Sequence, residues 1–226
     1  LDGVGYGGFA ENALTLVMQS GYVEAAEGGK IKLEGSVLRV MDTRIPDPPA
    51  IFTIRGRGPI YAAMSLLDND PLNFLKKSHR NFDDVSGHVT FKAQLDTFLK
   101  KDVNPKDISF DVEAVLQNVR SEVLVPGRVL SSKSMALSAN PTEIQIFGDG
   151  TLSGIPFSGT WSQSLKAPKL ASQVVASMEL SAASLKALNV EVPSGAIDGK
   201  AIANLTLQMF EKEPVLFEFS SNLKGL

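Results

Sequence analysis

Asp84-Val85-Ser86-Gly87-His88-Val89-Thr90-Phe91-Lys92-Ala93-Gln94-Leu95-Asp96 is the stretch on which the reading of this chain turns. Its odd positions are apolar or glycine and its even positions are polar. That period of two is the mark of a β-strand with one dry face and one wet face. A polar connection follows from Lys100 to Asp107, and the pattern resumes on even positions at Ile108, Phe110, Val112, Ala114 and Leu116. Two long strands with one apolar face each are expected to pair antiparallel and turn those faces the same way.

Outward from this pair, the same grammar recurs. On the N-terminal side, Leu1 to Phe9 is glycine-rich and reads as a loop or the ragged end of a strand, and Ala13 to Ala25 alternates in part. Glu27-Gly28-Gly29-Lys30 is a hairpin turn signal, and Ile31 to Gly35 and Val37 to Met41 read as strand. Pro46-Asp47-Pro48-Pro49 breaks any ladder, after which Ala50 to Met64 carries Phe52, Ile54, Ile60, Ala62 and Met64 on one strand parity. Asp68-Asn69-Asp70-Pro71 predicts the start of a short helix with Leu72 and Leu75 on its apolar side.

On the C-terminal side, Val119 to Leu130 is broken at Pro126-Gly127, and Ser134 to Ala139 alternates up to the turn at Asn140-Pro141. Ile144, Ile146, Gly148, Gly150 and Leu152 then share a face, as do Phe157, Gly159 and Trp161 beyond the turn at Gly154-Ile155-Pro156. Val174 to Leu180 predicts a strand, and Ser181 to Leu188 a short helix capped by Ser181. Gly195 to Met209 alternates again, and Val215, Phe217 and Phe219 follow the turn at Glu211 to Pro214. The expectation is a mainly β chain. It would form a long curled antiparallel sheet, an open groove or incomplete barrel of about ten to twelve strands with two short helices. Same-face glycines at Gly56, Gly58, Gly87, Gly148, Gly150, Gly159 and Gly199 would ease its curvature. Residues 1–226 read as a single unit with an internal echo, in which the helix-to-strand order of 68–99 returns at 181–211.

Composition narrows the classes. The 226 residues are 43% apolar and 21% charged, with a net charge of -3, so no basic field suggests nucleic acid. Cysteine is absent, which excludes disulfides, thiolate metal sites and a cysteine nucleophile. Candidate chemical motifs fail on context. Gly3-x-Gly5-x-x-Gly8 has no strand before it and no βαβ unit around it, so it is not a dinucleotide fingerprint. Asp68-Asn69-Asp70 lacks the glycine and terminal glutamate of a calcium loop. His79 and His88 read as surface residues, the adjacent Asp83 and Asp84 point to opposite faces of an extended chain, and Ser158 sits in no nucleophile elbow. Arg55 and Arg57 share a parity that could touch an anionic headgroup, and solvated strand charges are the simpler reading. No catalytic residue, metal site or cofactor is expected.

Four stretches together carry a family resemblance: Gly21-Tyr22-Val23 through Gly28-Gly29-Lys30 to Met41-Asp42; Gly58-Pro59-Ile60-Tyr61 to Pro71-Leu72; Gly87-His88-Val89-Thr90-Phe91; and Gly148-Asp149-Gly150 through Pro156-Phe157 to Thr160-Trp161. Their order resembles the central region of the large AsmA-like proteins of Gram-negative bacteria, in the YhdP-type branch. The resemblance implies a periplasmic segment of a longer chain, anchored in the inner membrane outside this segment. It implies a gutter-shaped sheet that shields phospholipid acyl chains on their way to the outer membrane, with flanking repeats as neighbours and no catalytic residues. The start at Leu1 and the end at Leu226 are expected of such a segment.

On this reading Val89, Phe91, Leu95, Phe110, Val112, Leu116, Ile144, Ile146, Leu152, Phe157 and Trp161 line either a lipid groove or an ordinary packed core, because single-parity placement alone does not separate the two. The alternative to a lipid conduit is a structural or assembly module of the bacterial envelope with a dry β core. A hydrolase on envelope lipid or glycan is a third reading, and no clustered carboxylate or Ser/His set recommends it. Open edges are expected to make the isolated segment associate edge to edge.

Overall fold

The structure, a computed structural model, describes residues 1–68, 84–104, 107–125, 127–166, 170–187, 193, 198–210, 213–222 and 224. In chain order its elements are β1 (Asp2–Ala10), β2 (Ala13–Glu24), β3 (Lys30–Lys32), β4 (Val37–Val40), β5 (Pro49–Pro59), α1 (Ile60–Leu67), β6 (Ser86–Phe98), β7 (Ser109–Val125), β8 (Arg128–Ala139), β9 (Glu143–Leu152), β10 (Ile155–Ser164), β11 (Leu170–Leu180), α2 (Ala182–Ala187), β12 (Ala201–Phe210) and β13 (Leu216–Ser221).

Among the described residues all 13 strands belong to one antiparallel sheet in which, β3 and β4 apart, neighbours in sequence are neighbours in space. β3 and β4 share one place between β2 and β5, as two halves of an interrupted strand. The fold is therefore mainly β, a curled antiparallel sheet with two short helices among the described residues. β1 pairs only with β2 and β13 only with β12, so the sheet does not close into a barrel.

The strand pair from which the reading began forms in the expected register, with Phe91 opposite Ala114 and Leu95 opposite Phe110. Alternation then sorts the side chains. Val89, Phe91, Ala93 and Leu95 of β6 face the same way as Ala114 and Leu116 of β7, while Thr90, Lys92 and Gln94 face the other. Substantial contacts run only between adjacent strands, or between a helix and its strands. Among the described residues the apolar face of the sheet thus has no second sheet packed upon it.

Both helices interrupt hairpins. α1 joins β5 to β6, α2 joins β11 to β12, and β5 and β11 run in the same direction, so the helices stand at the same end of the sheet. α1 begins at Pro59, whose fixed φ suits a helix start, and it buries Ile60 and Ala62. It closes at Asp68, whose amide donates to the Met64 carbonyl at 3.1 Å. The β2–β3 turn clasps it. Tyr61 Oη donates to the Glu27 carboxylate, the Glu27 amide donates to Ser65 Oγ at 3.1 Å, and a Cβ on Gly28, at φ +80, would collide with the α1 backbone at Tyr61 and Ala62. α2 is held by reciprocal capping, as Ser184 N donates to Ser181 Oγ at 3.1 Å and Ser181 N to Ser184 Oγ at 2.7 Å. Arg128 of β8 donates to the Ala187 carbonyl at its other end.

Several expectations are corrected. The strand expected over Ala50 to Met64 ends at Pro59, and Ile60, Ala62 and Met64 are helical. Asp68, expected to open a helix, stands at the C-cap of one; the helix expected over Leu72 and Leu75 lies outside the described residues. Leu1 to Phe9 is chiefly strand, because β1 takes its order from backbone pairing with β2 and needs few side chains. Gly199, expected within a strand, lies in the bend before β12.

Candidate functional site

Cross-strand registers assemble the apolar face into rows. One row runs Gly56, Phe91, Ala114, Leu137, Ile146, Trp161, Val174, Leu207, Phe217, each residue directly opposite the next. It crosses β5 to β13 without a polar side chain. With strands about 4.8 Å apart, it spans roughly 40 Å. A neighbouring row contains Leu38, Phe52, Leu95 and Phe110, and another Ile54, Ala93, Val112, Ala139 and Ile144.

The eleven candidate residues all lie on this face, but in two environments. Toward the helix end the face is covered. Val89 and Leu116 are buried in a cluster with Ile60, Val85 and Val119, and Phe91 and Ile146 pack against it. Phe157 packs against a second cluster of Ile155, Met178, Leu180 and Ala203, which Leu185 and Ala187 help to roof. A third cluster holds Ala25, Ala62 and Ile31, the last 0% exposed. These are dry cores. Leu95, Phe110, Val112, Ile144 and Trp161 lie toward the opposite ends of their strands; they and Leu152, which sits at the helix end, belong to none of these clusters and are all half-buried. The open half is not uniform, since Val40 and Ala50 are buried there.

The same-face glycines have a definite partner. Gly56 pairs with Phe91 and Gly150 with Phe157, and in each pair the phenyl ring lies over the glycine. A Cβ on Gly56 would overlap the Phe91 ring, and one on Gly150 would come within 2.9 Å of Phe157. The aromatic ring thus fills the space that glycine leaves, keeping the surface apolar where the strand bends. Sequence reading found the glycines by parity. It missed the continuation of the row through Val174, Leu207 and Phe217, although the same parity marks them.

The opposite face carries the charged side chains and two depressions. One of about 820 Å³ joins Lys32, Arg55, Arg57 and Lys92 to Val115 and Phe147; the other, of about 450 Å³, continues from Phe147 to Val175. Both are shallow troughs in the sheet surface. Arg57 is paired with Glu34 at 3.2 Å, and both side chains are more than half exposed, as expected for solvated strand charges. His88 is exposed on this face; His79 lies outside the described residues. Among the described residues no three metal-ligating side chains converge, and no helix is long and apolar enough to cross a membrane. Among the described residues the one carboxyl group held well away from its ordinary range is Asp42, in the β4–β5 loop. Hydrogen bonds from Arg44, at 2.8 and 2.9 Å from its side chain, lower it to about 2.

What the arrangement defines is a class: among the described residues, an open, single-layer β-sheet with an unbroken apolar row, roofed by helices at one end only. No family model, curated protein or solved structure matches the chain.

Proposed function

We propose that this chain is a non-enzymatic β-groove segment that shields phospholipid acyl chains along the uncovered half of its apolar face. The observation that supports this reading is the apolar row, whose part from Trp161 through Val174 and Leu207 to Phe217 belongs to none of the three buried clusters, whereas Phe91, Ala114, Leu137 and Ile146 belong to the covered one or pack against it. Apolar surface left in water costs about 25 cal/mol per Å², so a face of this kind calls for an apolar occupant. The row is long enough. One leaflet of a bilayer is about 15 Å of hydrocarbon, and the four strands from Trp161 to Phe217 span roughly that. No charged group interrupts it, and its one side-chain hydrogen-bonding group is the Trp161 indole N–H, so it would take acyl chains without selecting a headgroup.

With the resemblance to AsmA-like proteins of the YhdP type, the setting becomes the periplasm, and the role becomes passage of phospholipid toward the outer membrane within a chain anchored to the inner membrane elsewhere. Native mass spectrometry of protein purified in a mild detergent tests the reading. Copurifying phospholipid of mixed headgroup supports it, and lipid-free protein that stays soluble and monomeric overturns it. The second reading, an envelope assembly module with a packed core, draws on the three dry clusters at the helix end. It predicts that the whole apolar face is as inaccessible as those clusters.

A further inference from the structure

Arg55 and Arg57, set on one strand parity, do not stand alone. Register brings Lys92 opposite Arg55 and Lys32 opposite Arg57, on the face away from the apolar row. Glu34 pairs with Arg57 at 3.2 Å, and Glu113 stands opposite Lys92. The larger trough therefore sets two carboxylates against four cations. Among the described residues no carboxylate lies within ion-pair distance of Lys32, Arg55 or Lys92. Like charges directly opposite on neighbouring strands repel, and an anion between Arg55 and Lys92 would relieve them.

The trough leads from these cations onto an apolar line. Thr90, opposite Arg57, is followed by Val115, Ala136, Phe147, Thr160 and Val175, each opposite the next. Phe147 lines both depressions, so the two form one course. Val115, Phe147 and Val175 are 43%, 44% and 49% exposed on it. The line is a single side chain wide. Ser138, Gln145 and Ser162 flank it on one side, and Asp149, Ser158 and Ser177 on the other.

We propose that this course binds the anion of a long-chain fatty acid, with its carboxylate between Arg55 and Lys92 and its hydrocarbon chain laid along Val115, Phe147 and Val175. Charge selects the head. The excess of cations calls for an anion, and the planar guanidinium of Arg55 matches a carboxylate. Width selects one chain. A second acyl chain, a bilayer surface or the apolar centre of a protein interface would lie over the polar rows on either side and desolvate them. Length fits as well. From Val115 on β7 to Val175 on β11 is about 19 Å at the usual strand spacing, enough for a chain that crosses one leaflet of about 15 Å. This course and the apolar row lie on opposite faces of the sheet, so the inference does not depend on what occupies that row.

Equilibrium dialysis with radiolabelled palmitate, kept below its micelle concentration, tests it. The proposal expects one palmitate per chain that methyl palmitate, which has the chain without the charge, does not displace. Arg55→Gln combined with Lys92→Gln should weaken that binding about tenfold or more. Phe147→Ser should weaken it too, while Lys133→Gln, a charge lost outside the trough, leaves it unchanged. Binding that ignores the loss of Arg55 and Lys92, full displacement by methyl palmitate, or no binding overturns the proposal. Spin-labelled stearate gives a second reading on the unmodified chain, which serves if Phe147→Ser fails to fold. NMR broadening at Val115, Phe147 and Val175 supports the assignment, and broadening confined to the apolar face contradicts it.

Discussion

Ile155 and Trp161 stand on the same face of the same strand, about 20 Å apart at the usual rise per residue, yet their surroundings differ. Ile155 is 4% exposed, enclosed by Met178, Leu180 and Ala203 with α2 close by. Trp161 stands opposite Ile146 and Val174, belongs to none of the buried clusters, and remains half-buried. A strand carries no signal that tells its two halves apart, since both obey the same alternation. The difference comes from the helices inserted at one end of the sheet. Covering one end gives the protein a core on which to fold, and among the described residues the other end keeps much of its apolar face half-exposed.

This contrast predicts unequal costs for truncation. Ile31→Ala, in the covered end, should lose about 3 kcal/mol, within the range for deleting a fully buried isoleucine side chain. Phe110→Ala, in the open half, should lose only about 1 kcal/mol despite removing a larger group, because half of it is already in solvent. Urea denaturation followed by circular dichroism measures both. Equal losses would mean that the open half is also a packed core, and would break the comparison.

Glycine substitution sharpens it from the other side. Gly56→Ala places a methyl group in the ring of Phe91 and should cost about 2 kcal/mol by overpacking. Gly150→Ala meets the Ser131 backbone carbonyl at 2.6 Å as well as the Phe157 ring at 2.9 Å, and because a carbonyl in the ladder cannot rotate away it should cost more, about 3 kcal/mol. Thermal melts should place Gly150→Ala below Gly56→Ala. If Gly56→Ala is neutral, the ring moves freely off the strand and the aromatic cover is not part of the packing.

Much of this was legible in the sequence, and the failures have physical causes. Parity across Val89, Phe91, Phe110 and Val112 identified the sheet, its polarity and its apolar face, because a period of two is imposed by the backbone itself. Ile60, Ala62 and Met64 continue that parity past Pro59, so the helix start was hidden. The clue was Pro59 followed by eight residues without glycine or proline. β1 was obscured because glycine carries no side-chain pattern. The division of the candidate residues into covered and open sets was not legible at all. It depends on which loops fold back over the sheet, a long-range fact that no strand encodes.

Smaller effects probe the cover itself. Ser181→Ala removes the acceptor for Ser184 N and should cost about 1 kcal/mol, loosening α2. Hydrogen exchange should then quicken at Met178 and Leu180 beneath it and stay unchanged at Val112. Least of all, acid should leave the β4–β5 loop intact until late. Asp42 has its folded pKa lowered to about 2, below the unfolded value near 3.9. Its contribution is therefore present above the unfolded pKa and lost as pH falls through the folded one. An NMR titration should find Asp42 still ionised at pH 3, and Arg44→Gln should return it toward the ordinary range.

The central claim is that lipid reaches the open half of the apolar face and not the covered half, and the chain's single tryptophan is placed to report on it. Trp161 fluorescence should be quenched by phospholipid brominated on its acyl chains, and not by the same lipid brominated nowhere. Moving the reporter to the covered end, in a Trp161→Phe, Ile155→Trp protein, should abolish that quenching. Quenching that is absent at Trp161, or equal at the two positions, would contradict the account.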